Sequence, residues 1–423
     1  MIKRGYCILL KNKVLFRRKI FKMKRSVLLV LVFCLIVSIN NLFGCTTAVI
    51  SGKYTKDGKP MLWKLRDTES FYNHVQYFIG SKYKYMALVN TDKTRDVQVW
   101  GGYNSTGFAI MNSASFNTNL DNPTEFTDQE GVIMKKALEE CASLEDFENM
   151  LNSLPRPMGL NANFGVIDAN GGAAYYETDN NNFVKFDAND PKFAPNGYII
   201  RTNFSFTGKK DIGYGFVRYQ TASELFALAD AQNDISVKRI LNDFSRSAYH
   251  SLTKQDYSKS LPIDKNDTKF VNTGDYITRH GSASNIIIEG VDKGEEPRNT
   301  VMWVNVAFPL TTPVVPVWMD NEGSLPKIVS SINNQNSFLT QNGLLFKDCC
   351  YSIARSSGYK YMNIAPYTNK TDGGIKLLID KIEEPIFERA EKLTNGDFSS
   401  KDIKNYYEWL DNYVTRKITS YNK

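Results

Sequence analysis

Two hydrophobic regimes follow one another along this chain. From residue 45 to about 117, short apolar runs are punctuated by Gly, Asn and Asp. The runs 46–51 (TTAVIS) and 60–65 (PMLWKL) flank the turn Thr55-Lys56-Asp57-Gly58-Lys59, and 86–90, 97–100 and 107–111 follow. Runs of that length bounded by turn residues predict strands. Over 129–154 the period changes. Val132, Ala137, Leu138, Cys141, Leu144, Phe147 and Leu151 fall broadly on one side at helical spacing, and Pro155 ends the segment.

Strand-like runs return at 163–167, 173–177 and 197–203, followed by helical segments near 220–231 and 236–245. A third strand block covers 284–289 (SNIIIE), 300–307 (TVMWVNVA) and 314–318. After Pro326 the pattern is helical again, at 344–355 and more strongly at 374–423. No repeat or low-complexity linker interrupts it. Strands gathered in blocks with helices between and after them predict an α+β layered domain at 45–326 and a helical C-terminal extension at 327–423.

The first 44 residues read differently. Lys22-Met23-Lys24-Arg25 precedes a 14-residue apolar stretch, 26–39 (SVLLVLVFCLIVSI), and then the short segment Asn40-Asn41-Leu42-Phe43-Gly44. A basic start, a short apolar run and a small residue at the end predict a secretory signal cut after Gly44, with Met23 an alternative start. The run is shorter than the roughly 20 residues that span a bilayer, and the expectation is an exported protein, periplasmic or secreted, with no stable membrane span after processing.

This leader also corrects the charge. The formal net charge is +7, yet ten of the 52 Lys and Arg lie in residues 1–44, which contain no Asp or Glu. Without them, 42 basic residues face 45 acidic ones, which removes the main support for a nucleic-acid partner. Cys7 and Cys34 leave with the leader. Cys45, Cys141, Cys349 and Cys350 are too few and scattered for a disulfide framework. The three His (His74, His250, His280) lack metal-ligand spacing, and neither a metal nor a cofactor is implied.

The candidate chemistry centres on Cys45. A cysteine at a new N-terminus carries a thiol and a free α-amine with an ordinary pKa of about 7.7–8.0, so one residue supplies both nucleophile and general base. The competing reading is a lipoprotein cysteine. Leu42-Phe43-Gly44-Cys45 nearly fits that signal, although Phe43 is bulky for its position, and acylation there would consume both catalytic groups.

Cys45-Thr46-Thr47, Asp57-Gly58-Lys59-Pro60 and Trp63-Lys64-Leu65-Arg66-Asp67-Thr68 resemble the N-terminal-nucleophile hydrolases of the choloylglycine hydrolase, penicillin V acylase and isopenicillin N acyltransferase group. The likeness continues through Gly102-Tyr103-Asn104-Ser105-Thr106-Gly107-Phe108, Arg201-Thr202-Asn203-Phe204, Gly215-Phe216-Val217-Arg218-Tyr219 and Ile277-Thr278-Arg279, and covers roughly residues 45–318. The resemblance implies a four-layer αββα sandwich with Cys45 at the end of a central strand.

It further implies Cys45 as nucleophile, Asp67 as the carboxylate orienting its amine or thiol, the Asn203 side chain and the Asn104 backbone N–H as oxyanion donors, and one arginine, either Arg218 or Arg279. Where the bile-salt branch has an Arg three residues before the Asp, this chain has Lys64, which keeps the charge and loses the planar fork. Strand alternation puts Arg66 on the face of Lys64, opposite Leu65 and Asp67. The implied activity is hydrolysis of a linear carboxamide, or transfer of its acyl group, with a small-molecule amide as partner. Bile-salt conjugates, N-acyl amino acids, β-lactam side chains and small peptides all stay open as substrates. The alternatives are a lipid-anchored binding protein and an acyltransferase on the same scaffold. Without the resemblance, Asp67, Asn104 and Asn203 read as turn residues, and Arg218 and Arg279 as ordinary surface or ion-paired arginines.

Overall fold

A computed structural model describes residues 44–91, 97–260, 263–320, 322–394 and 398–421. The expected signal segment lies outside them except for its last residue, Gly44. Gly44–Lys423 forms one compact unit.

In chain order the elements are β1 Gly44–Ile50, β2 Met61–Asp67, β3 Asn73–Ile79, β4 Lys84–Asn90, β5 Val99–Asn104 and β6 Ala109–Ala114, then α1 Glu130–Glu140 and α2 Leu144–Ser153. There follow β7 Ala162–Ile167, β8 Ala173–Thr178, β9 Phe183–Asp187, β10 Tyr198–Arg201, α3 Phe216–Ala231 and α4 Val237–Arg239, which runs on as a π turn, Ile240–Ser245. Two short ladders, β11 Tyr249–His250 with β12 Gln255–Asp256 and β13 Phe270–Asn272 with β17 Tyr361–Asn363, frame the strands β14 Ser282–Glu289, β15 Val301–Asn305 and β16 Val315–Trp318. The remaining helices are α5 Phe338–Cys350, α6 Gly374–Thr394 and α7 Ser400–Tyr421.

The strands make two large antiparallel sheets. One has the order β10-β1-β2-β14-β15-β16, and the other is a meander from β3 to β9. β1 and β2 pack on β6 and β7 of the meander. That is why every residue of β1 and β2 is buried, and why both read as continuous runs rather than alternating ones. Helix α1 covers the far face of the meander at β4, β5 and β6, closing a core of Phe108, Ile110, Phe147, Phe164 and Tyr176. Helix α3 lies on β1 and β10.

The expected single helix over 129–154 is two. Cys141 is already extended, and Ser143 starts α2 with a reciprocal capping box to Asp146, which satisfies the new N–H groups and makes the break stable. Val132, expected on the buried side, is exposed, because the stripe of α1 runs through Ile133, Met134, Ala137 and Leu138. The helices after residue 326, expected as an appendage, share the main core. Ile382, Ile386, Leu410 and Val414 pack in it with Trp63, and the ring of Phe387 stacks on Trp303 at 4.5 Å. Tyr407 clamps β16 by accepting from Trp318 N and donating to Trp318 O, both at 2.7 Å. Among the described residues, no helix is long and apolar enough to cross a membrane.

Candidate active site

β1 opens at Gly44, and antiparallel pairing sets Gly44 opposite Asp67 and Cys45 opposite Arg66. Directly paired residues project to the same face, so the Cys45 thiol shares its face with Arg66 and, two pairs further, Lys64. That face looks into the space between the sheets. Lys64 Nζ donates to Trp100 O at 2.6 Å and to Asn112 Oδ1 at 2.7 Å, both on the meander. Arg66 lies over the Trp100 ring at 4.3 Å and donates to Asn73 Oδ1 at 2.9 Å. Burial pushes the Lys64 ammonium down to about 8; the thiol of Cys45 opposes this and Arg66 reinforces it.

The backbone of Cys45 is held from the other side. Its N–H donates to Asn203 Oδ1 at 3.0 Å, just beyond β10. Helix α3 starts after Gly215, whose φ of 84° turns the chain sharply enough to place Arg218 in the first turn, aimed back at β1. Arg218 Nη1 donates to Cys45 O at 2.6 Å and Thr46 Oγ1 at 3.0 Å, and Nη2 donates to Asn203 Oδ1 at 2.7 Å. Two donors on Oδ1 fix the orientation of the Asn203 amide, whose Nδ2 donates to Ala114 O at 2.9 Å at the end of β6. Among the described residues, Arg218 Nε is buried without a partner. Burial and then Arg279 push the Arg218 guanidinium down to about 9, against the pull of Asp67 and Cys45.

Asp67 completes the ring. Its Oδ1 accepts from Ser282 Oγ at 2.6 Å, and its Oδ2 from Arg279 Nε at 3.1 Å, with Nη2 at 2.8 Å. Gly44 sits where these groups converge. A Cβ there would fall 2.5 Å from Arg279 Nη2, 2.7 Å from Asn203 Oδ1 and 3.0 Å from Arg218 Nη2. The peptide bond between Gly44 and Cys45 is thus enclosed by two guanidiniums and a carboxamide.

Residues 56–261 match the family model of acyl-coenzyme A:6-aminopenicillanic acid acyl-transferase. The resemblance read in the sequence is borne out. The matched span is just under half of the chain; it starts after Cys45, holds Lys64, Asp67, Asn104, Asn203 and Arg218, and ends before Arg279. The matched family is one of acyl transferases. Comparison with curated protein sequences gave no match. Among solved structures, a mutant of the conjugated bile acid hydrolase from Clostridium perfringens is 11% identical, with 69% of this chain and 98% of that one covered at a TM-score of 0.42. The penicillin V acylase from Agrobacterium tumefaciens is 14% identical, over 65% of this chain and 86% of that one, at a TM-score of 0.36.

Against the expectations drawn from the acylase and acyltransferase group, the structure brings Cys45, Asn203, Asp67, Arg218 and Arg279 together and separates Asn104 from them. Asn104 N is already committed to Phe108 O at 2.9 Å. Its Nδ2 donates to Leu138 O at 3.0 Å and Cys141 O at 2.7 Å, tying the end of β5 to the last turn of α1 on the far face of the meander. The expected second oxyanion donor is therefore a strand-to-helix brace in this fold. The single arginine expected is a pair, since both Arg218 and Arg279 flank Gly44. Asp67 is held by Arg279 and Ser282 rather than by Cys45. Lys64 shares the Cys45 face and is anchored to the opposite sheet. Ser282 escaped sequence reasoning because nothing local marks it; it reaches Asp67 only through the pairing of β14 with β2. Among the described residues no group of His, Cys, Asp and Glu is placed to hold a metal ion.

Proposed function

We propose that the chain is an exported hydrolase of linear amides, in which Cys45, freed by cleavage after Gly44, attacks the substrate carbonyl. The observation that supports this most is the handling of the Cys45 backbone. A nitrogen that becomes the α-amine is bonded to Asn203, while its carbonyl is bonded to Arg218, inside a buried polar ring. In this reading the two packed sheets, covered on their outer faces by α1 and α3, are the αββα layers of the group, with the nucleophile at the open end of β1.

The thiol proton passes to the α-amine as the S–C bond forms. Asn203 Nδ2, which has a second N–H besides the one given to Ala114, donates to the oxyanion. When the C–N bond breaks, the departing amine takes the proton from the ammonium. Water then adds to the thioester, loses its proton to the same α-amine, and releases the acid and the thiol. Arg279, by holding Asp67, keeps that carboxylate from pairing with the amine and raising its pKa. An acceptor amine in place of water turns the same cycle into acyl transfer. The match to an acyl-transferase family favours keeping that second reading.

Intact mass and N-terminal sequencing of the exported protein, with turnover assayed in Cys45→Ala, test the proposal. The expected result is a free N-terminal Cys45 and no turnover in the variant. A diacylglycerol adduct on Cys45, or full activity in the variant, refutes it.

A further inference from the structure

The chain between the two site residues Asn203 and Arg218 holds large apolar side chains in water. Phe206 is 54% exposed, Phe216 43%, Tyr214 42% and Ile212 37%. Isolated exposed rings need no explanation, but a run of them at the edge of a candidate site does. Nor is this a slack loop. Asn203 and Tyr214 exchange backbone hydrogen bonds at 3.2 Å in both directions. The buried Glu177 carboxylate accepts from Phe206 N at 3.0 Å and from Thr207 N and Oγ1 at 2.7 Å each.

On the other flank, buried Asn117 donates to Ser205 O at 2.9 Å and Lys209 O at 3.0 Å and accepts from Ser205 N at 2.7 Å, and its own carbonyl receives Lys209 N at 2.8 Å. A Cβ on Gly208 would meet Asn117 Cγ at 2.5 Å, so the loop packs tightly against the segment that follows β6. The Phe206 ring rests on the Arg201 guanidinium at 4.5 Å, and Phe216 stacks on Phe204 at 4.5 Å. Buried polar groups thus fix a loop that leaves several aromatic rings partly exposed. The loop also carries exposed Lys209 and Lys210, followed by exposed Asp211.

We propose that the 204–216 loop docks the protein on a lipid surface, setting the mouth of the site against the headgroup layer. Rings of this size partition to the interface between headgroups and acyl chains, and adjacent lysines pair with lipid phosphates. Two consecutive exposed lysines beside exposed rings suit a soft, phosphate-bearing surface better than the charge-depleted centre of a protein interface. Because the ends of the loop are Asn203 and Arg218, docking presents the site to amides held in the lipid phase. That substrate class, N-acyl amphiphiles, rests on the proposed amide chemistry; the docking does not.

The test uses Cys45→Ala protein beginning at residue 45, cosedimented with phosphatidylcholine vesicles with and without phosphatidylglycerol. Binding to both is expected, tighter to the anionic vesicles. The pair Phe206→Ser and Phe216→Ser should weaken both at least about tenfold. Lys209→Glu with Lys210→Glu, which touch no core, should lower only the anionic component, by about fivefold or more per site. Hydrolysis of a short, water-soluble amide by chains with an intact Cys45 should be unchanged in both pairs. Absence of that hydrolysis sinks the amide reading and leaves the vesicle result standing. No binding to either vesicle, binding indifferent to both pairs, or a lipid-free self-association abolished by the same substitutions overturns the docking proposal, the last in favour of a second copy.

Discussion

Replacing Asn203 by Asp tests the site most sharply, because it alters charge and donors while keeping the shape. In the wild-type chain Oδ1 receives Cys45 N at 3.0 Å and Arg218 Nη2 at 2.7 Å, and Nδ2 gives to Ala114 O at 2.9 Å. An aspartate keeps both acceptances and turns the Arg218 contact into an ion pair, a gain of about 1.5–3 kcal/mol. It also sets two oxygens face to face at Ala114, a loss of about 1–3 kcal/mol. The terms nearly cancel, so denaturant unfolding should shift by no more than about 2 kcal/mol.

Catalysis should not survive so well. Loss of the oxyanion donor alone lowers kcat by roughly 10²–10³. A carboxylate about 4 Å from the developing oxyanion adds about 4 kcal/mol of repulsion at an effective dielectric of about 20. A fall in kcat of at least about 10³ is expected, measured as amine release by the processed enzyme. The same carboxylate pairs with the α-ammonium and raises its pKa, so the acid limb of kcat/KM should move to higher pH. A variant within about tenfold of wild-type kcat, or one with an unmoved limb, refutes both the donor role and the self-base mechanism.

Gly44→Val should stop processing, because a Cβ there meets Arg279, Asn203 and Arg218 within 3.0 Å; intact mass should show the uncut chain, and normal maturation contradicts the enclosure. Asn104→Ala should cost about 2–4 kcal/mol of stability by freeing Leu138 O and Cys141 O, with kcat unchanged within about twofold; a large kcat loss in a folded variant restores it to the catalytic set. Lys347 lies 3.3 Å from the centre of the Phe71 ring, and burial pushes its ammonium down to about 7 from the usual 10.5 against the pull of Asp348 and Asp67. Between those values the unfolded chain binds one more proton than the folded one, so stability should rise with pH, by at most about 1.4 kcal/mol per unit. Lys347→Met should flatten that rise below pH 8, leaving the same-signed contribution of Lys64 above about 8, and an unchanged slope in pH-dependent unfolding refutes the burial argument.

Local signals carried the sequence a long way here. The runs 46–51 and 60–65 were legible as strands because burial on both faces keeps them largely apolar, with Lys64 the one charge, and the family motifs located Cys45, Asp67, Asn203, Arg218 and Arg279. Strands β3 and β9 were missed. β3 mixes polar His74 and Gln76 into its run, and β9 keeps every residue at least partly exposed, so neither shows a core-facing pattern. The break between α1 and α2 turned on one capping box, which an apolar stripe running through both helices conceals.

The roles within the site were decided by pairing between segments far apart in the chain. Asn104 and Asn203 are both asparagines in strand-like surroundings. One faces a helix and the other faces Cys45, and only the stacking of the two sheets distinguishes them. Arg218 and Arg279 competed for one role in the sequence and share one place in the fold. The turn at Gly215 aims the first back at β1, and the pairing of β14 with β2 carries the second to Asp67, 212 residues away. Residue types and local periods therefore marked most of the elements and the candidate groups. Which of those groups meet was set by β-sheet register and face, which depend on contacts between distant segments and leave no mark at any single position.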